Sequence, residues 1–310
     1  MGWHGSLLAI AFSEGVSGMK RTKGERIFGI FNSCFLTITA MICFAPILYI
    51  FAMSLSSSSA ISAGKVSFLP VETTFVGYEY ILGNQIFWRS MLNSVIRVVL
   101  GVLLNLIMTC LSAYPLSKPH DKFFARTFFA WIFFIPMMIG GGLIPSFIVV
   151  KDTGLLNTIW ALVLPGAVPI FYVLLLLNFF RQLPSELEEA AIVDGAGHWR
   201  ILLHVFIPLS KPALATICVY AILGHWNSWF DGSIYMDELS KFPLLTYMRT
   251  IVINYNPDTM TPEELKKIMQ LGTKTLQSAQ IFVATLPILV TYPFFQKYFT
   301  KGLVVGSVKG

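Results

Sequence analysis

Charged residues are scarce in this chain, at 12% of 310 positions, where soluble domains carry about 25%. Together with 55% hydrophobic residues and a mean hydropathy of +0.69, this excludes an ordinary soluble domain and marks an integral membrane protein. Catalytic signatures are also missing. The single Gly-Lys pair, Gly64-Lys65, lacks the leading glycine and the following hydroxyl residue of a phosphate-binding loop. No H-E-x-x-H, C-x-x-C or G-x-S-x-G occurs, and the five histidines (His4, His120, His198, His204, His225) have no ligand spacing. No catalytic residue and no metal site is therefore expected, and a membrane enzyme is disfavoured. Cysteine is equally uninformative: Cys34, Cys43, Cys110 and Cys218 all fall in apolar runs, where a free thiol behaves as a small hydrophobe. The segment Met1–Lys20 has no basic start and only the short apolar run Leu7–Phe12, so it does not read as a cleaved signal, and Met19 is an alternative start.

Long apolar runs are what the chain does have. Stretches long enough to span a bilayer, roughly 20 residues each, lie near Phe31–Leu55, Leu92–Leu116, Phe128–Val150, Ile159–Phe180, Pro212–Phe230 and Ala279–Phe299. The reading is an all-α, polytopic membrane protein with six transmembrane helices. Basic residues cluster before the first run (Lys20, Arg21, Lys23, Arg26), between the second and third (Lys118, Lys122, Arg126), around the fourth connection (Arg181, Arg200, Lys211) and after the sixth (Lys297, Lys301, Lys309). The positive-inside rule then makes both termini cytoplasmic. It also accounts for the net charge of +6 without nucleic acid. Span three is interrupted by Pro136, Gly140-Gly141-Gly142 and Pro145. Two readings stand: a kinked packing helix, or a broken helix whose freed backbone borders a wet pathway. In the fifth loop, Thr261-Pro262-Glu263-Glu264 predicts a helix start.

One connection is unlike the rest. Ser185-Glu186-Leu187-Glu188-Glu189-Ala190-Ala191 predicts a helix with a Ser185/Glu188 capping box, three carboxylates near the positive dipole end and a nearly bare alanine face. Gly195 and Gly197 supply the left-handed freedom that ends it and aims a second helix. There Trp199, Leu202, Leu203 and Phe206 form one apolar stripe, closed by Pro208. A helix–turn–helix knob in a cytoplasmic loop needs something to dock against.

Polar residues inside spans are expensive and default to functional hypotheses. Asn93, Arg97 and Asn105 lie in span two, and His225-Trp226-Asn227-Ser228-Trp229-Phe230-Asp231 closes span five. Arg97 either snorkels to the outer interface or faces inward as a bidentate partner for an acidic solute. Flat indoles beside short polar groups suit carbohydrate rings; an interfacial tryptophan belt is the plainer alternative. The possible substrate-pathway set is Asn93, Arg97, His225, Trp226, Asn227, Trp229 and Asp231.

Glu189-Ala190-Ala191, three residues, Gly195, nine residues, then Val205-Phe206-Ile207-Pro208 resembles the E-A-A-x3-G-x9-I-x-L-P loop of binding-protein-dependent ABC importer permeases. Val205 replaces the usual Ile and Ile207 the usual Leu. Asn93-Ser94, Ala113-Tyr114 and the ending Lys301-Gly302-Leu303 to Gly306-Ser307-Val308-Lys309-Gly310 look like the second permease of maltose-type sugar importers. Gly140–Gly142, Trp226–Asp231 and the long fifth loop look closer to permeases for acidic oligosaccharides such as alginate and pectin fragments. The resemblance implies a MetI-like permease fold in the bacterial cytoplasmic membrane. It implies a cytoplasmic N-terminal segment (1–30), a permease domain (31–300) with a coupling loop at 181–211 and extracytoplasmic loops at 56–90 and 231–277, and a cytoplasmic tail (301–310). ATPase coupling would fall to Glu189, Ala190, Ala191, Asp194, Gly195 and Pro208. Implied partners are a homologous second permease, an ATPase dimer that binds ATP and Mg, an extracytoplasmic solute-binding protein, membrane lipid and the oligosaccharide itself. A same-family permease for a non-sugar solute, or an autonomous secondary transporter, is the alternative.

Overall fold

The computed structural model describes residues 23–253 and 273–307. The expected helix start at Thr261–Glu264, residues 1–22 and the last three residues of the tail lie outside the described residues. The regular secondary structure among the described residues is helical, apart from one isolated bridge between Ser56 and Thr73. Among the described residues two helices, over Ile27–Ser54 and Gln85–Ser117, are long and apolar enough to cross a membrane, and two bent pairs raise that to four if each pair is one span.

The first long helix, α1 (Lys23–Ser54), keeps Ile27, Phe31 and Met41 more than half exposed, so its outer surface suits lipid rather than water. Two short helices follow, α2 (Ser58–Ser62) and α3 (Val76–Gly83). They fold the first loop: Ser57 caps α2, Glu72 accepts from Ser57 and Ser59, and Thr74 N–H returns to Leu55 O. The central rod is α4 (Gln85–Ser117), started by Asn84 Oδ1 accepting from the amides of Ile86 and Phe87. One face of α4 buries Ser90, Ser94, Arg97, Gly101, Asn105 and Thr109. Their spacing of four or three keeps small and polar groups in one stripe. Such a stripe lets neighbouring helices approach closely in a membrane protein.

The next two runs are broken by their own residues. Span three is two helices, α5 (Arg126–Met138) and α6 (Leu143–Asp152), bent by 118°. Gly142, at φ +82°, sits at the joint, a conformation glycine adopts without penalty. Span four also divides, into α7 (Ile159–Val163) and α8 (Ile170–Arg181). Pro165, Gly166 and Pro169 fall in the gap, so the chain lacks two amide donors there.

The predicted knob is a helix pair, but four of its details differ. In α9 (Ser185–Val193) the cap position belongs to Pro184 and no side chain caps the helix. Ser185 is thus already helical and the capping box does not form; Glu188 turns inward to Lys118 instead. Gly195 has φ +76° and ends α9 as expected, whereas Gly197 has φ −74° and serves as the extended residue before the next helix. That helix, α10 (His198–Leu209), is wound as a π turn over Leu202–Phe206. The wider turn breaks the expected stripe: Ile201, Leu202 and Phe206 are buried, while Trp199 and Leu203 stay exposed. Pro208 does not close α10 but sits inside its last turn, at Ile207–Leu209. The π turn just before it moves backbone away from where a proline ring would clash. The chain then bends by 81° into α11 (Lys211–Asn227), which stops at Ser228, short of the predicted Phe230. The short α12 (Phe230–Tyr235), α13 (Leu244–Ile253) and the long α14 (Thr273–Ser307) complete the described chain.

Two apolar cores flank the middle of α4. One joins its C-terminal end to α8, α10 and α11 through Tyr114, Leu176, Phe180, Ile201, Phe206 and Ile217. The other joins its N-terminal end to α3, α13 and α14 through Ile81, Phe87, Leu244, Tyr247 and Ala279.

Candidate functional site

Between those cores α4, α8 and α11 surround a cavity of about 400 Å³, lined by Arg97, Asn105, Tyr172, His225, Asp231 and Tyr235 among others. That size lies within the range of small-ligand sites. Its polar wall is built where two helices are interrupted. The gap between α7 and α8 frees the carbonyls of Gly166 and Ala167, and Asn105 Nδ2 donates to both, at 2.7 and 3.0 Å. With its amide nitrogen fixed that way, Asn105 presents Oδ1 to His225 Nε2 at 2.9 Å, so His225 carries its proton on Nε2. The imidazole fits because Gly101 lies beneath it: a Cβ there would come within 2.3 Å of the ring.

The short helix α12, just beyond α11, supplies the second polar group. Arg97, only 2% exposed, grips both carboxylate oxygens of Asp231 and donates through Nη1 to Ser228 O at 2.9 Å. Asp231 Oδ1 also accepts from Ser228 Oγ and Gly232 N–H, each at 2.9 Å. Arg97 therefore does not snorkel outward. It forms a bidentate, charge-assisted pair that leaves this wall close to neutral.

The seven residues expected along a pathway separate in space. Arg97, His225 and Asp231 share the cavity. Asn93 instead donates to Ser240 O and Phe242 O, tying α4 to the fifth loop. Trp226 is buried with Leu244, Tyr247 and Ala284. Trp229 lies under the Arg249 guanidinium, 3.5 Å from its ring centroid, a cation–π contact. Asn227 is exposed and faces none of these. The indoles thus form no shared platform with the polar groups. Tyr172, stacked 6.5 Å from Tyr220, takes that place on the α8 side; its signal in the sequence is the one hydroxyl in the apolar run Ile170–Leu177.

At the far end of α4 the knob presents Glu189, Ala190, Asp194, Gly195 and Pro208 on exposed positions, with Ala191 half-buried against the core. Val193 and Trp199 are 87% and 68% exposed, large apolar side chains left bare on the knob. Beneath it is a joint the sequence did not single out. Lys118 Nζ is 2.8 Å from Glu188 Oε1, with both side chains about a tenth exposed or less, and it lies 4.0 and 4.2 Å from the ring centroids of Tyr114 and Phe206. Burial pulls the Lys118 ammonium below its ordinary value, with the Glu188 carboxylate opposing that shift. Among the described residues no cluster of His, Cys, Asp and Glu is arranged to hold a metal.

Comparison with known proteins places this geometry in context. The family described as binding-protein-dependent transport system inner membrane component matches residues 105–305. Protein LplC of Bacillus subtilis (strain 168) is 38% identical over 94% of this chain and 98% of its own length. The polygalacturonan/rhamnogalacturonan transport system permease protein YtcP of the same organism is 35% identical over 92% and 99%. A crystal structure of a bacterial ABC transporter involved in the import of the acidic polysaccharide alginate superposes with a TM-score of 0.82 and 35% identity, covering 91% of this chain and 99% of that one.

Proposed function

The chain belongs to the inner-membrane components of binding-protein-dependent transport systems, and from this we propose that it forms one wall of the path by which an acidic oligosaccharide enters a bacterial cell. It is a carbohydrate ABC importer permease, a transport subunit and not an enzyme. In the proposed arrangement six spans carry both termini to the cytoplasm, a homologous permease closes the other wall, and a solute-binding protein delivers the sugar to the outer loops. Residues 181–211 dock on an ATPase dimer, which supplies ATP hydrolysis with Mg. Glu189, Ala190, Ala191, Asp194, Gly195 and Pro208 shape that contact, and Arg97, His225 and Asp231 border the path.

The carrying observation is the exposed knob itself. Glu189, Ala190 and the Gly195 turn stand clear of the bundle, while Ala191 packs half-buried against it, and Val193 and Trp199 are uncovered on the same knob. The acidic class is supported by the names of the similar proteins, which handle polygalacturonan/rhamnogalacturonan and alginate. The test is reconstitution with the partner subunits, followed by ATPase and uptake assays with acidic and neutral oligosaccharides loaded on the cognate binding protein. Stimulation by acidic oligosaccharides is expected. A binding protein that takes only amino acids sinks the sugar reading, and uptake by this chain alone under an ion gradient sinks the ATP-driven one.

A further inference from the structure

The knob is attached to the bundle covalently at two places, and both are joints. On one side residues 182–184 link α8 to α9, ending in Pro184 with no side-chain cap. On the other, α10 turns through 81° into α11 behind a π turn. Neither connection continues a helix axis of the bundle into the knob. The tie to α4 is of another kind.

Lys118 follows the last residue of α4 directly. Its ammonium is held by the Glu188 carboxylate from α9 and by the faces of Tyr114 from α4 and Phe206 from α10. One cation thus gathers three elements. The end of α4 is steadied around it, since Arg126 Nη1 donates to Lys118 O and Arg181 Nη2 to Leu116 O, both at 3.3 Å. Glu188 and Glu189 divide the work of α9: the first is buried against α4 and the second is exposed. Along α4, Asn105 stands 13 residues before Lys118, about 20 Å at 1.5 Å per residue. The same helix therefore ends in the knob and carries a wall of the cavity.

We propose that Lys118 is a positioning residue that locks α9 and α10 onto α4, so that motion of the knob reaches the cavity through α4 rather than through its jointed covalent links. This rests on the function proposed above. A buried ion pair clasped by two rings resists shear, because sliding either partner leaves a desolvated charge behind.

The test uses the complete importer with its ATPase and binding protein. Lys118→Met keeps an unbranched side chain one atom shorter and removes its charge. The expected result is normal assembly and basal ATP hydrolysis, with binding-protein-stimulated uptake per ATP reduced at least about fivefold, the low end of ordinary coupling between sites. Lys118→Arg, which keeps charge and ring contact, should retain most of the wild-type ratio. An unchanged ratio in Lys118→Met, or lowered thermal stability with that ratio intact, overturns the proposal and leaves an ordinary structural pair. Should Lys118→Met fail to assemble, Glu188→Gln carries the same test, because the ammonium keeps its rings; an unchanged ratio there is equally fatal. A wild-type importer showing no stimulation at all refutes the functional reading instead.

Discussion

Replacing Asp231 by Asn removes one charge from the cavity wall while keeping the side chain's shape, and its cost follows from who is left behind. Arg97 is 2% exposed and depends on Asp231 and one carbonyl for its donors. Breaking a buried pair so that a charge stays uncompensated costs about 3–5 kcal/mol. The substituted amide still offers an oxygen to Arg97, so Asp231→Asn should fall near the lower end, about 3 kcal/mol. The reverse change is milder. With Arg97→Met the abandoned carboxylate is 24% exposed and retains Ser228 Oγ and Gly232 N–H, so a loss of about 1–2 kcal/mol is expected. The double variant should cost less than the sum, because no stranded charge remains. Thermal unfolding of the purified importer gives all four corners of the cycle. A second readout is transport: Asp231→Asn frees a cation beside the path and should shift uptake toward acidic over neutral oligosaccharides. Equal penalties for the two single variants, or additivity in the double, would show that the pair is not desolvated as described and refute the reasoning.

Other consequences are open to direct measurement. Gly101→Ala places a methyl into the His225 ring and should cost about 1–3 kcal/mol by overpacking; adding His225→Ala should recover stability but not transport, and no loss in the single variant would contradict the close crossing. Gly195 holds φ +76°, so Gly195→Ala should weaken knob formation by about 1–2 kcal/mol and lower ATPase co-purification, while Gly195→Asn, which tolerates that backbone, should be milder. Glu238, between α12 and α13, is held below its ordinary carboxylate value by hydrogen bonds from Lys241 and Asn157 and by the Lys241 charge. A depressed carboxylate contributes stability above its unfolded value of 4.5 and loses it as pH falls through the lower folded value. Hydrogen exchange near Asn157 and Glu238 should therefore quicken only in that acid window, and Glu238→Gln should abolish the dependence.

Much of the architecture is legible without coordinates because the forces that set it are local. Low charge and long apolar runs announce the helices, and proline with glycine marks the break at 139–142; the break at 164–169 falls inside a run that reads as one continuous span. The glycine of the Gly195 turn was readable for the same reason. What escaped depends on contacts between distant segments. Lys118 reads as one more positive-inside lysine until Glu188, 70 residues on, is folded beneath it. Ser185 and Glu188 satisfy a capping pattern, yet a stronger charge partner claims the glutamate. Trp226 and Trp229 look alike in the chain; tertiary packing buries one and covers the other with Arg249. The π turn before Pro208 rotates half of an expected stripe outward, which no fixed 3.6-residue pattern foresees.

The length of α4 has a consequence of its own. Its 33 residues extend about 50 Å, against a hydrocarbon core of about 30 Å. The surplus is taken up by inclination or by projection into the headgroup layer, and the balance shifts with membrane thickness. A thicker bilayer stands the rod more upright and a thinner one lays it over, moving its Lys118 end sideways relative to the membrane plane. Acyl-chain length thus becomes a setting for this permease, acting on the angle of one helix without binding to any site.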